Sequence, residues 1–273
     1  MRLLQRITIV LFVLTVVAFG FFRYMNSRAE DVTVPVITAD SDVISVSVTA
    51  SEEELLSGLT AYDEKDGDLT FRIQIDRISK FISEGECNIT YTVCDYNNNV
   101  AKYTRRLVYT DYTEPIFNIT TNLTFSVGSS TPLVSYITAY DVLDGDISDK
   151  VKIVSSNLST AQEGVYMVTA QATNSRGDVV YLEFPVSVIA SVAQVPTVRL
   201  TQYVVYLKAG EAFDERAYIR SVLDTTREEL SLDTVTVQSD YDGRTAGSYT
   251  VIYSAINERG MIGSARLTLM VTP

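Results

Sequence analysis

The chain has 273 residues, 46% of them hydrophobic, with 22 basic and 34 acidic side chains, no His, no Trp and two Cys. This apolar content suits packed domains and argues against a disordered chain, while a net charge of −12 disfavours nucleic acid, whose phosphates demand clustered Lys and Arg. Without His there is no His-based triad, metal ligand or switch near neutral pH, and two cysteines do not make a disulfide scaffold.

Residues 7–22 read ITIVLFVLTVVAFGFF, with Arg2 and Arg6 before the run and Arg23 and Arg28 after it. A spanning helix needs about 20 apolar residues and tolerates about 17. Leu3, Leu4, Tyr24 and snorkelling arginines extend the run to that reach. A cleaved signal shares the apolar core but wants small residues after it, and the exit here is Phe21-Phe22-Arg23-Tyr24. The expectation is a cytoplasmic stub over 1–6 and an uncleaved signal-anchor helix over 7–24. The amino terminus, Arg2 and Arg6 outweigh Arg23 and Arg28, which Glu30 and Asp31 dilute. The positive-inside rule then puts the N-terminus in the cytoplasm and the rest of this single-pass protein outside the cell membrane.

Beyond residue 30 the chain repeats itself. AYDEKDGDLT at 61–70 returns as AYDVLDGDIS at 139–148, 78 residues on. Each unit opens alike, DVTVPVI from Asp31 and DYTEPIF from Asp111. A third match comes late in each unit: GECNITYTVCD at 85–95, GVYMVTAQATN at 164–174 and GSYTVIYSAIN at 247–257. Period-two alternation of this kind is a half-buried strand. It sends Tyr166, Val168, Ala170 and Ala172 inward in the second unit, and Tyr249, Val251, Tyr253 and Ala255 in the third. Turns follow at 97–99, 175–177 and 258–260, and the next segments alternate again, so each unit closes on a β-hairpin. The one helix-like patch, residues 51–56, is about one turn long and is read as a loop.

Short strands and regular turns indicate an all-β protein: three tandem immunoglobulin-like β-sandwich domains after one N-terminal transmembrane helix. The pattern D-x-T-x-P, then A-x-D-x-x-D-G-D, then G-x-Y-x-V-x-Y-x-A resembles the Ig-like repeat of bacterial surface proteins, also found in some pesticidal crystal toxins. The third copy diverges: around Leu223-Asp224-Thr225-Thr226 it lacks the DGD. The expected domains are 31–110, 111–189 and 195–273. The resemblance implies a bacterial, Gram-positive envelope setting and names no ligand.

Two acidic clusters are the candidate chemistry: Asp63, Asp66 and Asp68, and Asp141, Asp144 and Asp146. Three carboxylates within six residues, beside Gly67 or Gly145, could supply oxygen ligands to calcium, the one cofactor considered. The spacing is not that of an EF-hand, and the competing reading is a turn whose Asp side chains cap backbone amides. A glycosidase would need two carboxylates facing across a cleft, and no such pair is visible; no catalytic residue is assigned. Cys87 and Cys94 fall on one strand an odd number of residues apart, hence on opposite faces, and cannot pair with each other. Cys87 holds the position of the core tyrosines Tyr166 and Tyr249. Tyr203 and Tyr206 would point to opposite faces of a strand, which argues against an adhesive strip.

The functional expectation is non-enzymatic: a stalk or adhesin-like module that contacts an unknown protein or glycan at the cell surface, with the third domain outermost. The alternative is an accessory scaffold subunit of an envelope complex for export or cell-wall work. The last strand ends at Val271-Thr272-Pro273, so no catalytic domain is expected at the tip.

Overall fold

The structure is a computed structural model that describes residues 2–29 and 32–273, with side chains from residue 5 to 24 and from 32 onward. The charged flank read from Arg2, Arg28, Glu30 and Asp31 lies outside the described side chains. Helix α1 (Arg2–Ala29) runs past the expected segment at both ends. Its stretch Gln5–Tyr24 has a mean hydropathy of 2.2, and none of it is buried against protein. Twenty residues at 1.5 Å each give about 30 Å, the thickness of a bilayer's hydrocarbon core. Within that stretch Thr15 donates its hydroxyl to the carbonyl of Leu11 at 2.8 Å, so this hydroxyl is not left bare.

The remainder is all β apart from one helical turn and several 3-10 turns. Compactness divides the chain into two units, Met1–Asp111 and Tyr112–Pro273. In the first, strands β1 (Val36–Ala39), β2 (Val43–Val46), β3 (Leu59–Asp63), β4 (Gly67–Asp68), β5 (Gln74–Ile78), β6 (Glu86–Cys94) and β7 (Val100–Tyr109) form two sheets, ordered β1-β3-β4 and β2-β7-β6-β5. The core between them is built by Ile37, Leu59, Ala61, Leu69, Ile89, Tyr91, Val93 and Leu107. Apart from Leu69, which precedes a 3-10 turn, these come from alternate strand positions, as a sheet with one wet face requires.

Helix α2 (Glu52–Leu56) occupies the stretch expected to be a loop. A capping box stabilises it: Ser51 Oγ accepts from the Glu54 amide at 3.3 Å, and Glu54 Oε2 accepts from the Ser51 amide at 2.8 Å. Tertiary anchoring completes the turn. Arg105, on β7, is buried and donates through Nη2 to the carbonyls of Leu55 and Ser57, both at 2.9 Å, and through Nε to Tyr91 Oη.

The second unit holds two sandwiches. Strands β8 (Ile116–Ile119), β9 (Thr124–Ser126), β10 (Ile137–Asp141), β11 (Gly145–Asp146), β12 (Lys152–Ser156), β13 (Gly164–Thr173) and β14 (Val179–Ile189) form sheets β8-β10-β11 and β9-β14-β13-β12. Strands β15 (Thr197–Leu200), β16 (Val204–Lys208), β17 (Ile219–Leu223), β18 (Thr236–Ser239), β19 (Gly247–Ile256) and β20 (Ile262–Thr272) form sheets β15-β17 and β16-β20-β19-β18. In all three sandwiches a short early strand pairs parallel with the last one: β2 with β7, β9 with β14, β16 with β20.

The G-x-Y strands carry the expected inward sets, with one refinement. Val168, Ala170 and Ala172, and Val251, Tyr253 and Ala255, are buried. Tyr166 and Tyr249 lie at the rim, half exposed, and each donates its hydroxyl to the carbonyl four residues upstream, Gln162 and Thr245, at 2.9 Å. That is the tyrosine corner of immunoglobulin-like folds. The preceding glycine is explained by the same contact: a Cβ on Gly164 would stand 3.3 Å from the Tyr166 ring. Cys87 takes the place of the corner tyrosine in the first sandwich and is fully buried; Cys94 is half-buried, and neither forms a disulfide.

Within the second unit the cores of the two sandwiches join in one apolar cluster. Polar bonds cross the same seam. Tyr206 Oη accepts from the Phe117 amide at 2.8 Å, Asn122 Nδ2 donates to the Ser264 carbonyl at 2.8 Å, and Arg266 donates to Ser187 Oγ. Tyr203 is buried and Tyr206 sits in the seam, so neither belongs to an exposed strip.

Candidate functional site

The acidic turns lie at the end of the small sheet in the first two sandwiches, just before the chain crosses to the larger sheet. Asp63 ends β3 and Asp141 ends β10, both essentially inaccessible to solvent. Asp63 Oδ1 accepts from the amides of Lys65 and Asp66 at 2.9 and 3.0 Å, and Asp141 Oδ1 from those of Leu143 and Asp144, both at 2.9 Å. The chain then turns through Gly67 and Gly145, at φ +77° and +73°, where a side chain would be strained. It pairs back on itself as β4 and β11. Asp68 accepts from the Thr70 amide and Asp146 from the Ser148 amide, each at 2.9 Å, at the entrance to the next 3-10 turn.

The middle carboxylate of each triplet reaches across to the hairpin that closes the sandwich. Asp66 Oδ2 accepts from the Tyr96 amide at 2.9 Å. Asp144 Oδ2 accepts from the Ser175 amide at 2.6 Å and from Lys150 Nζ at 3.1 Å. These bonds hold the carboxyls of Asp63, Asp68, Asp144 and Asp146 below the ordinary carboxylate range. For Asp63 the Asp66 amide is the largest cause; for Asp68 and Asp146 the hydroxyls of Thr70 and Ser148 are. At Asp144 burial, the largest single influence, works the other way and is outweighed by Ser175 and Lys150 together. Each triplet is thus spread over three joints, and among the described residues no three acidic or thiol side chains gather as a metal centre.

A second set of residues, marked in the sequence only as the point where a strand ends, caps the closing hairpins. Asp95 Oδ1 accepts from the amides of Asn97 and Asn99, Asn174 Oδ1 from Arg176 and Asp178, and Asn257 Oδ1 from Arg259 and Met261, all at 2.7–3.0 Å. In the second sandwich the two systems meet: Asn174 Nδ2 donates to Asp141 Oδ2 at 3.1 Å and to Tyr112 Oη at 3.0 Å. Burial, then the Asp178 carboxylate, pushes the Tyr112 hydroxyl's pKa well above its usual value. The divergent third copy keeps the first carboxylate of the turn: Asp224 accepts from the Thr226 amide, and the DGD that follows in the other copies is not required for that bond.

The outer faces of the small sheets in the first two sandwiches carry a repeated row. Tyr62 faces Val36 on one side and Asp68 on the other, and Tyr140 faces Ile116 and Asp146 in the same register. Both tyrosines are more than half exposed. Phe71 and Tyr96 are also exposed, and Arg72 stacks over the Tyr96 ring at 4.6 Å. An aromatic face beside a carboxylate can hold a polyhydroxylated or cationic ligand by stacking and hydrogen bonding. A separate cavity of about 420 Å³ is lined by Asp40, Ser45, Ser47, Glu54, Ser57 and Arg105 among others.

No family model matches the chain. It is 24% identical to the pesticidal crystal protein Cry22Aa of Bacillus thuringiensis over 88% of its length, and 26% identical to an uncharacterized 81.3 kDa protein of Acholeplasma phage L2 over 59%. Those matches cover 33% and 23% of the two proteins, so the chain spans a third or less of the curated relatives it matches. Among solved structures it is similar to a Clostridium perfringens ZmpB structure of CBM51-2, in complex with GlcNAc, and INT domains, at 20% identity over 55% of this chain and 26% of that one, with a TM-score of 0.27. It is also similar to Drosophila N-cadherin EC1-3, at 12% identity over 74% of this chain and 88% of that one, with a TM-score of 0.26.

Proposed function

We propose that the chain is a membrane-anchored, non-enzymatic surface protein whose sandwiches act outside a bacterial cell as a stalk and binding module. The observation that carries this reading is the stretch Gln5–Tyr24, about a bilayer long, uncharged from Ile7 to Phe22 and with no protein against it. An apolar surface of that size in water is strongly unfavourable, and hydrocarbon is the medium that relieves it. The commitment of the acidic side chains to structural bonds supports a contact role over a catalytic one. The outward tyrosine rows at Tyr62 and Tyr140 are the surface offered to a protein or glycan partner.

The test is fractionation with protease shaving of intact bacterial cells that express the chain with a C-terminal tag. The tag is expected in the carbonate-washed membrane fraction, and external protease removes it. Recovery of the chain in the soluble fraction, or a tag shielded until cells are opened, overturns the reading. Loss of partner capture after Tyr62→Ala and Tyr140→Ala, with the fold intact, would assign the binding surface. Unchanged capture would move it elsewhere.

A further inference from the structure

The first and second sandwiches solve the same burial problem differently. In the second, Asp141 is wholly buried and satisfied on both oxygens: Oδ1 by two backbone amides, Oδ2 by the Asn174 side-chain amide. In the first, Asp63 takes the place of Asp141 and keeps the two amides on Oδ1, adding the Thr33 hydroxyl at 3.3 Å. The residue in the place of Asn174 is Asp95, which caps its hairpin in the same way and takes Asn99 Nδ2 on its second oxygen. One change of side chain has replaced a donor by a second carboxylate. Both are 1% exposed, the charge of Asp95 is felt at Asp63, and Asp63 Oδ2 is buried with no hydrogen-bond partner.

A buried carboxylate oxygen in that position calls for a hydrogen-bond donor or a cation, and beside a second carboxylate a cation relieves both. A proton is a poor candidate at neutral pH, because each carboxylate already accepts two backbone N–H bonds, which favour the ionised form. Arg72 supplies one positive charge near Asp95, but it is stacked on Tyr96 and its Nη1 itself lacks an acceptor. Asp66 and Asp68 are held at other joints.

We propose that Asp63 and Asp95 form a binding site for one hard cation in the first sandwich, standing where the Asn174 amide stands in the second. Hard cations take oxygen ligands and fill the rest of their shell with water, so two carboxylates and a nearby hydroxyl are a workable nucleus. The site bridges the acidic turn and the closing hairpin, and lies between the two turns rather than within the D-G-D run. Occupancy ties the two sheets of the sandwich together at one end.

The test uses the full chain in detergent, as wild type, Asp95→Asn and Asn174→Asp, titrated calorimetrically with Ca²⁺, Mg²⁺ and Na⁺. Wild type is expected to bind one ion per chain and to melt roughly 4 °C or more higher when saturated. Asp95→Asn rebuilds the amide contact of the second sandwich; it is expected to abolish binding and to raise the ion-free melting temperature. Asn174→Asp is expected to create a second site, giving two ions per chain. A Ca²⁺ response that Na⁺ does not reproduce assigns a divalent site, and a response to Na⁺ alone a monovalent one. Absence of binding by wild type, or a response that survives Asp95→Asn, overturns the proposal. Should Asp95→Asn not fold, Asp63→Asn presents the amide from the other side and reads the same outcome.

Discussion

Removing one oxygen atom tests whether the two sandwiches of the second unit act as one body. The Phe117 amide donates to Tyr206 Oη at 2.8 Å across the seam, Phe117 is 3% exposed, and burial raises the Tyr206 pKa. Tyr206→Phe keeps the ring and deletes the acceptor, leaving a buried N–H unpaired, at about 1–3 kcal/mol. Taking ~2 kcal/mol, and about 2–4 °C per kcal/mol for a unit of this size, the melting temperature of residues 112–273 should fall by about 4–8 °C. Calorimetry and urea unfolding of the full chain in detergent would measure it, with Tyr140→Phe as the control, since Tyr140 is exposed. Wild type should show one transition for this unit, and the variant an earlier one or two. A shift under about 1 °C, or two separate transitions in wild type, would refute the idea that the seam couples the sandwiches.

Acid should act on the turns. The carboxyls of Asp63, Asp68, Asp144 and Asp146 are held below the ordinary carboxylate range, and Asp242, in the loop before β19, is held at about 2 by Thr245 and the Arg244 amide. Groups depressed in the fold contribute stability that is present above the unfolded pKa and lost as pH falls through the folded one. Unfolding should therefore set in below about pH 4 and be nearly flat from pH 5 to 8, where no His titrates; a midpoint near pH 6 by circular dichroism would contradict this. Arg105→Leu should destabilise the first unit by about 2 kcal/mol, because the Ser57 carbonyl loses its donor. Equilibrium unfolding in urea checks it, and a neutral result would mean that the carbonyl finds water. Gly263→Ala should cost ~3 kcal/mol or more, as its Cβ would lie 1.8 Å from the Pro196 carbonyl oxygen. An unchanged melt would show that β15 can retreat from β20.

What the sequence disclosed, and what it withheld, follows the range of the interactions. Alternation at 164–174 and 247–257 marks the buried positions, because one face of a strand is committed to the core. Tyr166 and Tyr249 share that face yet lie at its rim, which only the bend of the chain before the strand decides. Ser51 and Glu54 carry the capping-box signature, but a turn this short depends on distant Arg105 to persist. Arg105 itself stands at an inward position opposite Ile89, where the other sandwiches place Phe184 and Leu267. A charge there is a visible break in the pattern and the one local sign of that network. The acidic motif announced a turn, but not which oxygen would be left over. That depended on whether Asp or Asn stood at the far end of another strand, 32 or 33 residues away.

The parallel pairing of β2 with β7, β9 with β14 and β16 with β20 has a mechanical consequence. If the apolar helix is held in a membrane and the other end is pulled, the chain is loaded in tension. Two parallel strands near the entrance and exit of a domain are then dragged past each other lengthwise, so their hydrogen bonds share the force instead of opening one by one. Each sandwich carries such a shear clamp, and a tether assembled from them resists extension until a whole strand pair yields together.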